Sequence, residues 1–146
     1  MHFIGLKIMP STAISAQGST FEIDVTTPGT PDTVVENMFS YSGLDGEASE
    51  IDVTNLNSTA KEFKLGLKDN GGFNIEYHID YDDIGQNALR AAGVSGLTKR
   101  FTLTLPNNKN LTFNGLVKNA DSISGAIDGT VNGGASIRIT GAVVAA

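Results

Sequence analysis

The chain offers few residues with which to do chemistry. Its densest acidic cluster is Asp80-Tyr81-Asp82-Asp83. Clustered carboxylates attract hard cations such as calcium. The run lacks an Asp-x-Asp-x-Asp-Gly loop and has no closing Glu. It reads better as the acidic start of a helix, where capping and the dipole favour negative charge. The two histidines are His2 and His78. His78 stands among carboxylates, as a general base can. Yet no G-x-S-x-G elbow follows a strand, and no Cys can act as nucleophile. A solvated strand histidine is the better reading. Gly125, Gly129, Gly133 and Gly134 lack the spacing and the Lys-Ser/Thr ending of a phosphate loop, and fit turns and bulges. Asn57-Ser58-Thr59 and Asn110-Leu111-Thr112 match a glycosylation sequon, which matters only in a secreted eukaryotic protein. Lys99-Arg100 and Lys109 are too few for a basic patch. The residues point to no catalytic site, metal or cofactor, and an enzyme is not expected.

Composition narrows the class. A chain of 146 residues is most simply one domain, 1–146. At this length roughly 70% of the unfolded surface can be buried. Charged residues make up 18%, below the usual figure of about 25%. Thr, Ser, Asn and Gly take the solvent-facing places. The net charge is −6 and the pI about 4.7. That argues against a nucleic-acid binder, which needs cations to displace counterions. It is compatible with a conduit that DNA passes without sticking, although solubility explains the acidity at least as well. There is no Cys, which excludes disulfides and zinc–thiolate sites. The start, Met1 to Pro10, does not read as a signal peptide. No segment approaches the roughly 20 apolar residues of a membrane span, so membrane insertion is not expected.

The elements that would position these residues are mostly strands. Phe21, Ile23 and Val25 alternate with Glu22 and Asp24, which marks a half-buried strand over 20–25. A second strand is expected over 34–41. Residues 44–60 are polar apart from Leu44, Ile51, Val53 and Leu56, and read as a long functional or disordered loop. Phe63, Leu65 and Leu67 alternate over 61–67. Phe73, Ile75, Tyr77 and Ile79 alternate over 73–80. Asp69-Asn70-Gly71-Gly72 between them predicts a tight hairpin turn that pairs these two strands. A helix is expected over 82–92, with Asp83 as N-cap, Gln86 completing a capping box, and Gly93 at its end. Gly85 inside it requires a packing partner. Strands follow over 100–105 and 111–118, then a Gly-rich stretch over 121–134 that reads as short irregular strands or a loop. A last strand over 135–140 closes at Gly141. The sum is a mainly β (α+β) domain: two packed β sheets in a sandwich or open barrel, flanked by one short helix. Residues 1–18 read as an N-terminal arm.

Several segments, in order, resemble the major tail tube protein of long, non-contractile (siphovirus-like) bacteriophage tails. They are Ala13 to Ile23, Ile51-Asp52-Val53-Thr54, Gly66-Leu67 through Gly72, and Ile137-Arg138-Ile139-Thr140-Gly141. The resemblance covers most of the chain and rests on order and spacing rather than one motif. Some members carry an added immunoglobulin-like domain. This chain stops soon after Thr140-Gly141, so a bare tube module is expected.

The resemblance implies hexameric rings stacked into a tube, with the chain itself as main partner. It also implies a tail tip or initiator complex, a tape measure protein and a tail terminator. DNA would pass through without specific binding. The location would be the virion tail, assembled in the cytoplasm of the bacterial host. Segment 44–60 would then be the loop that reaches a neighbouring ring, with Ile51, Asp52, Val53, Thr54 and Leu56 as contact residues, disordered before assembly. Glu36, Glu62 and Glu76 are the expected acidic lining of the channel. Two alternatives stay open. One is the inner tube of a contractile tail or type VI-like secretion apparatus. The other is a monomeric β-sandwich binding module, which the absence of Trp disfavours.

Overall fold

The computed structural model describes residues 12–25 and 28–146. His2 and most of the expected N-terminal arm lie outside them. The elements are β1 (Thr20–Ile23), β2 (Thr33–Val34), β3 (Met38–Gly43), β4 (Ala48–Asp52), β5 (Phe63–Lys68), β6 (Gly72–His78), α1 (Ile84–Ser95), β7 (Lys99–Thr104), β8 (Asn110–Ser124) and β9 (Asn132–Ala145). Seven strands form one antiparallel sheet in the order β2-β1-β7-β8-β9-β6-β3, and β4 and β5 form a separate pair. The expected mainly β fold with one helix is what the chain adopts.

The large sheet curls until its distant strands touch. β1 and β6 are four strand positions apart, which in a flat sheet would separate them by about 19 Å. Yet the rings of Phe21 on β1 and Phe73 on β6 stack with centroids 5.1 Å apart. Phe101 and Phe113, on the intervening β7 and β8, complete the cluster at 5.4 Å from Phe21 and Phe73 respectively. Ile23, Ile75, Tyr77, Leu103, Ile137 and Ile139 fill in around these rings. Bulges along β8 and β9 bend the longest strands and permit the curl.

The gap between the sheet's two edges is bridged by residues 35–37. Val35 N–H donates to Phe21 O at 2.8 Å, and Asn37 O accepts from His78 N–H at 3.0 Å. The expected single strand over 34–41 is therefore two strands. It breaks because the chain must cross from β2 at one edge to β3 at the other, with Asn37 at φ 64°.

The helix is fixed by its first turn. Asp83 is extended at φ −76°, ψ 125°, and its Oδ2 accepts from Gln86 N–H at 2.9 Å. Gly85 has the partner it needed: a Cβ there would strike the Val34 carbonyl and lie 2.7 Å from Val35 Cα. Leu89 and Ala92 are buried, whereas Ile84 in the first turn is 65% exposed. The helix runs through Gly93 and ends at Gly96, whose φ of 70° is the left-handed cap. Gly93 can stay inside because it is exposed and its packing neighbour, Val117, is at an ordinary distance.

Three further expectations are corrected. β5 and β6 do not pair across Asp69–Gly72; β5 pairs with β4, and β6 pairs with β3 and β9. A two-residue reversal needs positive φ at its first central residue, and in type I′ at both; here Gly71 has it (φ 74°) while Asn70, the first, does not. The stretch 121–134 is mostly ordered: β8 runs to Ser124 and β9 begins at Asn132, around a turn. The last strand also passes Gly141. That glycine, at φ 85°, sits in the bulge between Thr140, paired with Asn114, and Val144, paired with Thr112.

A candidate assembly surface

β3, β4, β5 and β6 are the two sides of one long hairpin. β3 and β6 pair at the sheet edge, the chain leaves the sheet after Gly43, and β4 and β5 pair beyond it. Asp69–Gly72 is thus a bend within one side of the hairpin, and Leu44–Glu47 is the matching bend in the other. Leu44 N–H donates to Gly72 O at 2.9 Å and Asp69 N–H to Glu47 O at 3.2 Å, which keeps the two sides in register. Leu44 (φ 59°) and Gly71 (φ 74°) supply the left-handed backbone that redirects the chain. Gly46 can approach only because it lacks a Cβ, which would strike the backbone of Asp69 and Gly71.

The bend is tied to the body by β9. Asp69 Oδ1 accepts from Gly71 N–H at 2.8 Å, and its other carboxylate oxygen pairs with the Arg138 guanidinium. These two contacts, the Gly71 amide first, hold the Asp69 carboxyl below its usual value. Asn70 Nδ2 donates to Gly141 O at 2.6 Å, and Ile139 N–H donates to Gly71 O at 3.0 Å.

The projecting ribbon is apolar and uncovered. Relative exposures are 49% for Ile51, 36% for Val53, 105% for Leu56, 51% for Phe63, 74% for Leu65 and 94% for Leu67. Large apolar side chains gathered this way mark a contact surface. The structure places Ile51, Asp52, Val53, Thr54 and Leu56 along β4 and at the ribbon's tip. It adds Phe63, Leu65 and Leu67, which alternation had read like any half-buried strand. Their signal was present, but no pattern in one chain says that the partner is another molecule.

The tip of the ribbon carries its own hydrogen bonds, so 44–60 is not a structureless loop. Asp52 Oδ1 accepts from Thr54 N–H at 2.9 Å, and Thr54, with its hydroxyl first and amide second, lowers the Asp52 pKa. Thr54 Oγ1 accepts from Glu62 N–H at 2.8 Å, Asn55 Oδ1 from Asn57 N–H at 2.8 Å, and Glu62 Oε2 from Ser58 Oγ at 2.8 Å. Short polar side chains satisfy neighbouring amides in this way, which gives order to a segment of disorder-like composition.

The three glutamates do not share a face. Glu36 lies in the bridge between β2 and β3, where its N–H donates to Asp83 Oδ2 at 3.2 Å and its carbonyl accepts from Gln86. Glu62 lies at the ribbon tip. Glu76 stands on the open face of β6 between the inward Ile75 and Tyr77.

The remaining candidates have structural surroundings. His78 stacks on Phe39 at 4.6 Å, and its Nδ1 is 2.7 Å from Asn132 Oδ1 and 2.9 Å from Thr130 Oγ1. Asp83 caps the helix, and Asp80 Oδ1 accepts from Asp82 N–H at 3.0 Å. Among the described residues no group of three or more His, Cys, Asp or Glu is placed to hold a metal. Sequence reasoning missed the role of Gln86. It is fully buried, and its Nε2 donates to Glu36 O and His78 O at 2.9 and 3.0 Å. Its Oε1 accepts from Asp80 N–H at 2.9 Å rather than from the N-cap amide of a capping box.

No protein-family model matches the chain, and no curated protein matches its sequence. Solved structures do. The tail of an empty gene transfer agent particle, of C6 symmetry, superposes with a TM-score of 0.72 at 16% identity, covering 90% of this chain and 98% of that one. The SPP1 tail tube gives 0.71 at 14% identity, over 91% and 78%. The sheath–tube complex of an extracellular contractile injection system, PVC, gives 0.66 at 11%, over 92% of each. A curled sheet with one helix and a projecting hairpin, matched over nine-tenths of the chain, is the tail tube fold.

Proposed function

We propose that this chain is a structural tail tube subunit. Copies close into hexameric rings, and the rings stack into a hollow tube that conducts DNA. The observation that carries the reading is the β4–β5 ribbon, whose Phe63, Leu65 and Leu67 are uncovered in the single subunit. The fold shared with the gene transfer agent tail and the SPP1 tail tube supports it. On this reading the ribbon, with Ile51, Asp52, Val53, Thr54 and Leu56, makes the contact to a neighbouring ring. The subunit acts by assembly and not as an enzyme. A tip complex starts the tube, a tape measure protein sets its length and a terminator ends it. All of this takes place in the cytoplasm of a bacterial host before the virion is released.

Of Glu36, Glu62 and Glu76, which do not share a face, Glu76 is proposed as acidic lining of the channel. It stands on the open face of the large sheet. Like charge keeps the phosphate backbone from sticking. Glu76→Lys should slow DNA delivery while leaving tubes intact; unchanged infectivity would remove the idea.

The inner tube of a contractile system is the second reading, favoured by the match to the PVC sheath–tube complex, though at a lower TM-score. Co-purification with a sheath protein would select it. The test of the main reading is Leu65→Asp. It should abolish rings and tubes in electron micrographs and leave the melting temperature of the subunit unchanged. Tubes formed normally by this variant would refute the ribbon's role.

A further inference from the structure

We propose that the β4–β5 ribbon is two-sided, and that its acidic face packs on the lysine-bearing face of the same ribbon in a second copy of this chain. The inference rests on the tube-subunit reading and deepens it.

The register defines the two faces. Glu50 lies opposite Leu65 and Asp52 opposite Phe63, so these four residues share one side. Ile51 lies opposite Lys64, and a Cβ on Gly66 would meet Ser49 Oγ and Ile51 Cδ1, so Ser49, Ile51, Lys64 and Gly66 share the other. Both sides are open, with Leu65 74% and Phe63 51% exposed on the first and Ile51 49% on the second. An ordinary ribbon buries one face and wets the other. Apolar side chains on both faces call for cover on both, hence for two neighbours at once.

Charge selects the partner face. Glu50 and Lys64 make no ion pair among the described residues, and the Asp52 carboxylate accepts from Thr54 at the ribbon's own tip. Packing acidic face on acidic face would bring the Glu50 and Asp52 carboxylates of two copies together. Packing acidic face on the opposite face brings them to Lys64 and sets Phe63 and Leu65 against Ile51. Glu62 also falls on the Lys64 side, but its carboxylate accepts from Ser58 Oγ at 2.8 Å, away from the ribbon's middle. A contact between unlike faces is heterologous. It leaves one face free at each end, so addition repeats until the assembly closes or grows on.

The test compares wild type, Glu50→Lys, Lys64→Glu and the double variant, all as full chains, by sedimentation and electron microscopy. Like-charge juxtaposition across an interface costs several kcal/mol, so each single variant should lose at least about tenfold in assembled fraction. The double variant should recover it. The chain has no Cys, so a mixture of Glu50→Cys and Lys64→Cys copies should cross-link with a short bis-maleimide, and Glu50→Cys alone should not. Single variants that assemble like wild type, a double variant no better than the singles, or Glu50→Cys copies cross-linking to each other would overturn the proposal while tubes still form. A wild type that never assembles, with a tail tip complex added as well as without it, would overturn the tube reading and this contact with it.

Discussion

Arg138 on β9 pairs its guanidinium with the carboxylate of Asp69, the residue at which the long hairpin leaves the sheet. The pair joins the rigid body to the base of the ribbon, so it governs where the apolar surface points. Both side chains are about half exposed, 47% and 50%. Exposed pairs add little to global stability. Arg138→Ala should therefore leave the melting temperature nearly unchanged and raise amide exchange at Asp69–Gly71. Assembly should weaken, because the ribbon is no longer held in one direction. Unchanged exchange at the bend would show that Asn70 and Ile139 suffice.

The bend and the tip should respond to acid. The carboxyls of Asp69 and Asp52 titrate below their ordinary value of 3.8 in the folded chain. A depressed folded pKa contributes stability that is present above the unfolded value and lost as pH falls through the folded one. The ribbon should hold its geometry from neutral pH to about 4 and loosen below it. Amide exchange or nuclear magnetic resonance shifts of Thr54 and Gly71 would report the change; loosening between pH 7 and 5 would contradict this assignment.

The phenylalanine cluster carries the curl. Phe21 is fully buried and stacks on both Phe73 and Phe101. Phe21→Ala removes a ring that joins β1 to β6 and leaves a cavity, at a cost of about 3–5 kcal/mol. Chemical denaturation should show this loss. A loss below about 1 kcal/mol would mean that the sheet does not close through these rings.

Gly85 is required by contact rather than by helix propensity. Alanine normally favours a helix interior over glycine by about 1 kcal/mol. Here its Cβ would strike the Val34 carbonyl, on the segment that bridges the two sheet edges. Gly85→Ala should therefore destabilise, by about 1–3 kcal/mol. Stabilisation by this substitution would contradict the packing.

Much of this was legible in the chain. Alternation located β1, β5, β6 and β7, because each presents one apolar face. Asp83 announced the helix start, since its side chain competes for the first amides. Pairing was not legible. Asp69-Asn70-Gly71-Gly72 has the composition of a reversal, and only the left-handed bend at Leu44 shows it to be a redirection. The ribbon's strand β4 showed only as the alternation of Ile51 and Val53 at the head of a polar run, because a surface meant for another subunit need not alternate for its own core. Gln86 looked like a cap residue, and its burial depends on Glu36 and His78, each remote in sequence.

The central claim is assembly, and negative-stain electron microscopy of the purified wild-type chain over a range of concentrations tests it most directly. Rings or hollow tubes in the wild type, absent in Leu65→Asp at equal melting temperature, are the predicted result. Particles of single-subunit size at every concentration, with a tail tip complex added as well as without it, would contradict it.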